Sequence, residues 1–291
     1  MTITIPPLHV GHGSHIEGLT VFPVWVDAPS LAGLDWAPGN LRVAERDGSP
    51  VVAELVVHNA GQRPLVALEG DLLKGGWQDR MLAASTLLAV RESRVVEVVC
   101  VESGRWGGGS VHASQGGRGA LSVRHGNVSN RDDRPLDRDA QSEVWRRISR
   151  YEESFGSTSS ASMLDHLSAS TGVPLRTLEG QRGVIIGVGG RILSAEIFGS
   201  AVGLRARWRG ILDAAALDAR LAPPVPTLAT QARRFAQRLA TLSLHDGGDA
   251  GHARQVRSTR GRLSASGIAH DADRIIHLAA FDDSHPLLEN A

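Results

Sequence analysis

Two short stretches of this chain gather the side chains that do chemistry. The first, residues 68–80, reads LEGDLLKGGWQDR and sets Glu69, Asp71, Gln78, Asp79 and Arg80 around the glycine pair Gly75-Gly76. The second, residues 100–106, reads CVESGRW and brings Glu102, Arg105 and Trp106 close together in sequence. A carboxylate can take a proton from water or a hydroxyl, and a guanidinium can grip phosphate in a fork. An indole can stack on a base, and an amide can order sugar hydroxyls. Paired glycines let the backbone turn sharply or come close to a ligand. A plainer assignment stays open for both stretches. The first is also a strand–turn–strand corner with an Arg–carboxylate bridge, and the second a strand end with Glu102 paired to Arg105 and Trp106 on the core.

Such residues need rigid elements behind them. Residues 17–26, 51–57, 63–68 and 94–101 are β-branched and aromatic runs bounded by Gly, Pro, Asn and Asp, so each is predicted as a strand. Several lack clean alternation, which implies burial on both faces, and Pro23 suggests an edge or a bulge. Residues 104–138 are Gly-, Ser- and Arg-rich with no period, and read as a long loop. Asp139 can cap a helix on which Val144, Ile148, Tyr151 and Phe155 recur at helical spacing, and a short helix follows near 162–169.

The last part opens on a hairpin, GVIIGV and RILSAEIF joined by Gly189-Gly190, where a two-residue turn needs positive φ. Ser200 can cap a helix carrying Leu204, Trp208, Ile211 and Ala215, which Pro223-Pro224 ends. A second helix is expected over 228–242, a glycine-histidine loop over 245–252 and a strand pair over 255–281. The expected class is α+β: a largely antiparallel, sandwich-like β-sheet core with packed helices. One domain is expected over 1–291, with a β-rich part to about 103, the loop 104–138 and a mixed part over 139–285.

Composition removes several function classes. Lys+Arg 31 balances Asp+Glu 31, so no whole-molecule field draws the chain to nucleic acid or membrane. Arg105, Arg118, Arg124, Arg131, Arg134 and Arg138 crowd one region, but Asp132, Asp133, Asp137 and Asp139 neutralise its second half. Nucleic acid is therefore not the expected partner. Lys74 is the single lysine, a bias of coding composition more than of guanidinium chemistry. Cys100 stands alone and reads as a small buried hydrophobe in a reducing compartment. No basic-then-apolar leader or membrane-length apolar run is present, so the expected location is the cytoplasm. His9, His12 and His15 lack partner ligands at a metal spacing, and no metal is expected. The chain has no Gly-x-Ser-x-Gly elbow, and GVGG at 187–190 is turn chemistry, not a dinucleotide fingerprint.

At these residues the chain resembles a bacterial and archaeal domain family named for its genomic association with ADP-ribosylglycohydrolases and rhodanese-phosphatase-superfamily proteins. The resemblance rests on Gly70, Asp71, Leu73, Gly75, Gly76, Gln78 and Arg80, then on the run from Cys100 through Glu102, Gly104 and Arg105 to Trp106. It continues with Gln141, Val144-Trp145 and the run from Glu196 to Ser200. The chain departs from the pattern where Leu72 replaces an acid, Trp77 a lysine and Asp79 an asparagine. The resemblance implies a small nucleotide-like ligand, ADP-ribose or another NAD-derived compound, bound or processed in a pocket. Arg80 and Arg105 would hold its diphosphate, Trp106 or Trp145 would stack its base, and Gln78 would orient ribose hydroxyls. Gln141 would join the binding set, and Glu69 or Glu102 would act as base. The resemblance implies no particular cofactor or oligomeric state, and a binding, regulatory or assembly module without turnover is the alternative.

Overall fold

The computed structural model describes residues 2–46, 51–105, 107–129, 138–169, 172–270 and 274–289. The chain forms two compact units. One comprises residues 1–32, 172–208 and 218–291, the other residues 33–171 and 209–217. The first begins with strands β1 (Thr2–Thr4), β2 (Leu8–Val10), β3 (Ser14–Ile16) and β4 (Leu19–Val26). The second holds β5 (Leu41–Ala44), β6 (Glu54–Asn59), β7 (Leu65–Ala67), β8 (Asp71–Gly75), β9 (Arg80–Leu82), β10 (Thr86–Leu88), β11 (Ser93–Cys100) and β12 (Val111–Arg118). Helices α1 (Leu121–Ser129), α2 (Arg138–Phe155) and α3 (Met163–Ser168) follow. The chain then runs through β13 (Gly183–Val188), β14 (Arg191–Phe198), α4 (Ala201–Ala219) and α5 (Ala229–Ala240). It ends with β15 (Ser243–Asp249), β16 (Arg254–Arg260), β17 (Leu263–His270) and β18 (Arg274–Asp282). The fold is α+β and mostly antiparallel β.

The first unit is built on a ten-stranded sheet in the order β1-β15-β16-β17-β18-β14-β13-β4-β2, with β3 also on β4. Ala232, Phe235, Ala236 and Leu239 of α5 pack with Phe22, Val24, Ile185, Ile197 and Leu278 of the sheet. The β13–β14 hairpin turns at Gly189 and Gly190, both at positive φ, as the glycine pair requires. Strand β4 is interior, yet it tolerates Pro23. On that side β2 pairs with Val24–Val26 and β3 with Leu19–Val21, so the missing N–H faces the gap between two short strands.

Residues 243–282 hold four strands, where a loop and one strand pair were expected. The burial of β15 and β16 is irregular and their side chains largely polar, so no period of two marks them in the sequence.

In the second unit six strands close into a barrel in the order β11-β6-β5-β12-β8-β9. Leu41 and Val43 of β5, Leu55 and Val57 of β6, Leu73, Leu82, Val96 and Val98 fill it, joined by Leu65 and Ala67 of β7 and Leu88 of β10. Strand β6 alternates strictly between buried and half-buried positions, as a strand with one face inward must.

The segment 104–138, read as a loop, contains the whole of β12 and of α1. Strand β12 (VHASQGGR) has little apolar side chain to betray it; its backbone pairs with β5 on one side and β8 on the other. Trp106, Arg131, Asp132, Asp133, Arg134 and Asp137 lie outside the described residues. No helix among the described residues is long and apolar enough to cross a membrane.

Candidate functional site

Strands β8 and β9 form a short hairpin whose register pairs Leu72 with Met81 and Leu73 with Arg80. Each end of this hairpin carries a buried charge network. At the β8 start, Asp71 Oδ2 accepts from the Leu68 N–H at 3.0 Å and so closes the turn that delivers Glu69. Gly70 occupies that turn at φ +82°, and its N–H donates to the Leu82 carbonyl at 2.9 Å. Arg118, at the end of β12, donates to the Glu69 carbonyl at 2.6 Å and to Asp71 Oδ1 at 2.9 Å. Arg124 of α1 grips the Glu69 carboxylate through Nη2 at 2.8 Å and Nε at 3.1 Å. Both arginines are fully buried, so their charges are matched by carboxylates and not by water.

The opposite end is the Gly75-Gly76 turn and the exit of β11. Gln78 donates from Nε2 to the Glu102 carbonyl at 3.1 Å and accepts from Arg80 Nη1 at 2.8 Å. The Asp79 N–H donates to Glu102 Oε2 at 2.8 Å, and Asp79 Oδ2 accepts from Ser162 Oγ at 3.0 Å. Arg105 closes the network. Its Nε and Nη2 reach Glu102 at 2.9 and 2.7 Å, and Nη1 donates to the Gly76 carbonyl at 2.7 Å. The plainer expectation of a Glu102–Arg105 pair therefore describes the free protein. Of the residues singled out from the sequence, Gln78, Arg80, Glu102 and Arg105 meet here, while Glu69 lies at the far end of the hairpin.

Electrostatics follow from these partners. Burial alone would raise the Glu102 carboxyl, but hydrogen bonds from Arg105, Ser160 and the Asp79 amide outweigh it and hold the group below its ordinary value. Arg105 is held still more firmly protonated, chiefly by its hydrogen bond to Glu102. Burial pushes the Cys100 thiol up, more than the nearby Arg80 lowers it, so this cysteine is an inert core group. Burial also pulls the His112 imidazole down despite its 3.1 Å contact to Glu45 Oε1.

Gln141 of α2 is bound to the barrel: its Oε1 accepts from the Cys100 N–H at 2.8 Å and its Nε2 donates to the Cys100 carbonyl at 2.9 Å. Trp145, one turn further on, keeps its indole Nε1 buried without a hydrogen-bond partner among the described residues. Trp106 lies outside the described residues.

Sequence reasoning missed Trp77, which is 42 % exposed beside the network, and Arg118 and Arg124, which neutralise its counterpart at the other end. A tryptophan directly after a glycine pair was the available signal for the first, since a bulky apolar residue on a tight turn has no core to enter. The irregular segment Gly107–Gly109 is exposed, with the Gly107 N–H donating to the Trp77 carbonyl at 3.2 Å. A Cβ on Gly108 would come within 2.1 Å of the Gly76 carbonyl oxygen, so only glycine lets these two segments lie this close.

A separate hollow of about 490 Å³ lies over β5, β6, β8 and β12, lined by Arg42, Val56, His58, Lys74, Val111 and His112 among others. None of the expected site residues lines it.

The Gly-acid, Gly-Gly-x-Gln and Glu-Ser-Gly-Arg runs thus occupy one hairpin and the strand end beside it. The family model of the ARG and Rhodanese-Phosphatase-superfamily-associated Protein domain matches residues 7–281. The chain belongs to this family. No curated protein and no solved structure matches it. The family's extent takes in residues of both units, including Glu196, which is buried in β14 with its Oε2 2.8 Å from His277 Nε2.

Proposed function

We propose that this member of the family recognises an ADP-ribose-like or NAD-derived nucleotide at the solvent edge of the Gln78–Glu102–Arg105 network. The observation that carries the reading is the meeting of residues 75–80 with residues 102–105 around Arg105. Its side chain is 35 % exposed and donates to the Gly76 and Gly107 carbonyls, and Gly76 directly precedes the exposed Trp77. An indole to stack a base, a guanidinium for a diphosphate and close-approaching glycine backbone are the parts such a ligand needs. The family's name adds support, because ADP-ribosylglycohydrolases handle the same compound class. In this reading Arg105 meets the diphosphate, while Gln78 and Arg80, expected from the sequence to touch the ligand, are fully buried and support the network from behind. Trp77 is the stacking surface, ahead of Trp106 and Trp145, and Gln141 holds the strand exit in place.

The test is calorimetric titration with ADP-ribose, ADP and NAD, with tryptophan fluorescence read in parallel and compared with Trp77→Phe to isolate the Trp77 signal among the six tryptophans. Binding that weakens in Arg105→Ala and Trp77→Ala is the expected result. Absence of heat and of quenching at millimolar ligand overturns the reading.

Turnover is the second reading, favoured by the two buried carboxylates. Glu102 is ionised but saturated by Arg105, so it becomes a base only when a ligand phosphate draws that guanidinium away. Glu69, held by Arg124, is the alternative base. Product analysis after incubation with ADP-ribose conjugates tests this: no product from wild type rejects turnover, and activity that survives in both Glu102→Gln and Glu69→Gln rejects these glutamates as the base.

A further inference from the structure

The first unit carries a second cluster of charge that the proposed function does not use. Helix α5 presents Gln231, Arg234 and Arg238 at positions i, i+3 and i+7, which share one face. Arg191, the first residue of β14 after the Gly189-Gly190 turn, faces the same hollow of about 270 Å³. Buried Ile192 and Phe235 contribute its apolar lining, and Asp282 and Ser284 line it as well.

The charge of this hollow is not balanced from within. Among the described residues Arg238 is the one guanidinium of this hollow with a carboxylate, reaching Asp282 at 3.2 Å, and Asp282 also accepts from the Ser284 hydroxyl at 2.6 Å. Helix α5 has no acid anywhere in its sequence, so nothing on it offsets Arg234 and Arg238, a like-charged pair one turn apart. Gln231 uses Oε1 to accept from the Leu228 N–H at 3.0 Å, which leaves its Nε2 side to donate. Two guanidinia, an oriented third and an amide therefore line one hollow together with buried Ile192 and Phe235.

We propose that this hollow binds a small phosphate monoester, with Arg191 and Arg234 as its forked donors and Arg238 held in position by Asp282. Phosphate is favoured over carboxylate because three guanidinia can share its oxygens. A small ligand is favoured over a polyanion because the hollow holds only about 270 Å³. The site stands apart from the nucleotide reading and does not depend on it.

The experiment is titration of the full chain with inorganic phosphate and glycerol phosphate, with acetate as control, following arginine side-chain N–H signals by NMR. It is run on wild type and on Arg105→Ala, so that binding at the other network cannot be mistaken for this one. Arg191→Met and Arg234→Met are each expected to weaken binding about 10- to 100-fold, the range of a lost charge-assisted hydrogen bond. Arg233→Met, the exposed neighbour outside the hollow, should leave it unchanged. All three sites are exposed, so circular dichroism is expected to show unaltered folding. Equal loss in Arg233→Met, a response to acetate as strong as to phosphate, or no response at millimolar phosphate overturns the proposal. Tighter binding of a short oligonucleotide than of either phosphate also overturns it.

Discussion

The Gln141 side chain makes both backbone hydrogen bonds of Cys100, taking its N–H at 2.8 Å and serving its carbonyl at 2.9 Å. A helix side chain thus acts there as the next strand of the barrel, at the last residue of β11. Two positions later the chain delivers Glu102 to the network, so α2 fixes where that carboxylate begins. Gln141→Ala should cost about 1–3 kcal/mol for the backbone groups it strands. The same variant should expose Cys100 to thiol reagents, because the buried thiol is reached only when this strand end opens. An unchanged labelling rate alongside unchanged urea stability would show that the clamp does nothing.

The Glu69–Arg124 pair predicts an asymmetric response. Arg124→Met leaves a carboxylate buried and unmatched, and should cost about 3–5 kcal/mol in chemical denaturation. Glu69→Met combined with Arg124→Met removes both charges and should recover part of that loss. A double variant as unstable as the sum of the singles contradicts the pairing.

Gly70 predicts a steep cost for one methyl group. At φ +82° a Cβ there would sit 2.3 Å from Arg124 Nε, so Gly70→Ala combines backbone strain with displacement of the guanidinium. The strain alone is worth about 1–3 kcal/mol. A melting temperature within a degree or so of wild type, read against the ~2–4 °C per kcal/mol of larger domains, would show that the turn relaxes freely.

Acid should destabilise the protein in two windows. His112 is held below its ordinary 6.5, so as pH falls through that value the unfolded chain takes up a proton that the folded one refuses, and stability drops. His285 of the first unit, also depressed by burial, works in the same direction. The Glu102 contribution is complete above its ordinary 4.5 and is lost as pH falls below it toward the folded value. Urea midpoints at pH 7.5 and 5.5 should fall for wild type and fall less for His112→Gln. An NMR titration placing His112 at or above 6.5 rules the first window out.

Some of this was legible in the residues. Gly189-Gly190 announced its hairpin, and Ser200 announced α4, where its Oγ accepts from the Gly203 N–H at 3.1 Å. Glu102 and Arg105, three apart at a strand exit, were readable as a pair. The barrel was not, because closure depends on β12, whose His, Ser, Gln and Gly side chains give no apolar alternation. Nor were Arg118 and Arg124 legible as partners of Asp71 and Glu69, since an arginine within a glycine-rich stretch looks solvated until the backbone around it is placed. Trp77 stood out only as a departure from the family pattern, and its exposure is a property of the turn it sits on.

The pairing of Val24 with Gly183 has a consequence for how the protein is made. While the ribosome is still translating the intervening segment, β4 has only β2 and β3 beside it, and its other edge hangs open. At about 5–20 residues per second the wait is on the order of 10–30 s. During that interval an apolar strand with a bare margin is available to any neighbouring nascent chain, so slowing initiation, which spaces the nascent chains apart, should raise the soluble yield.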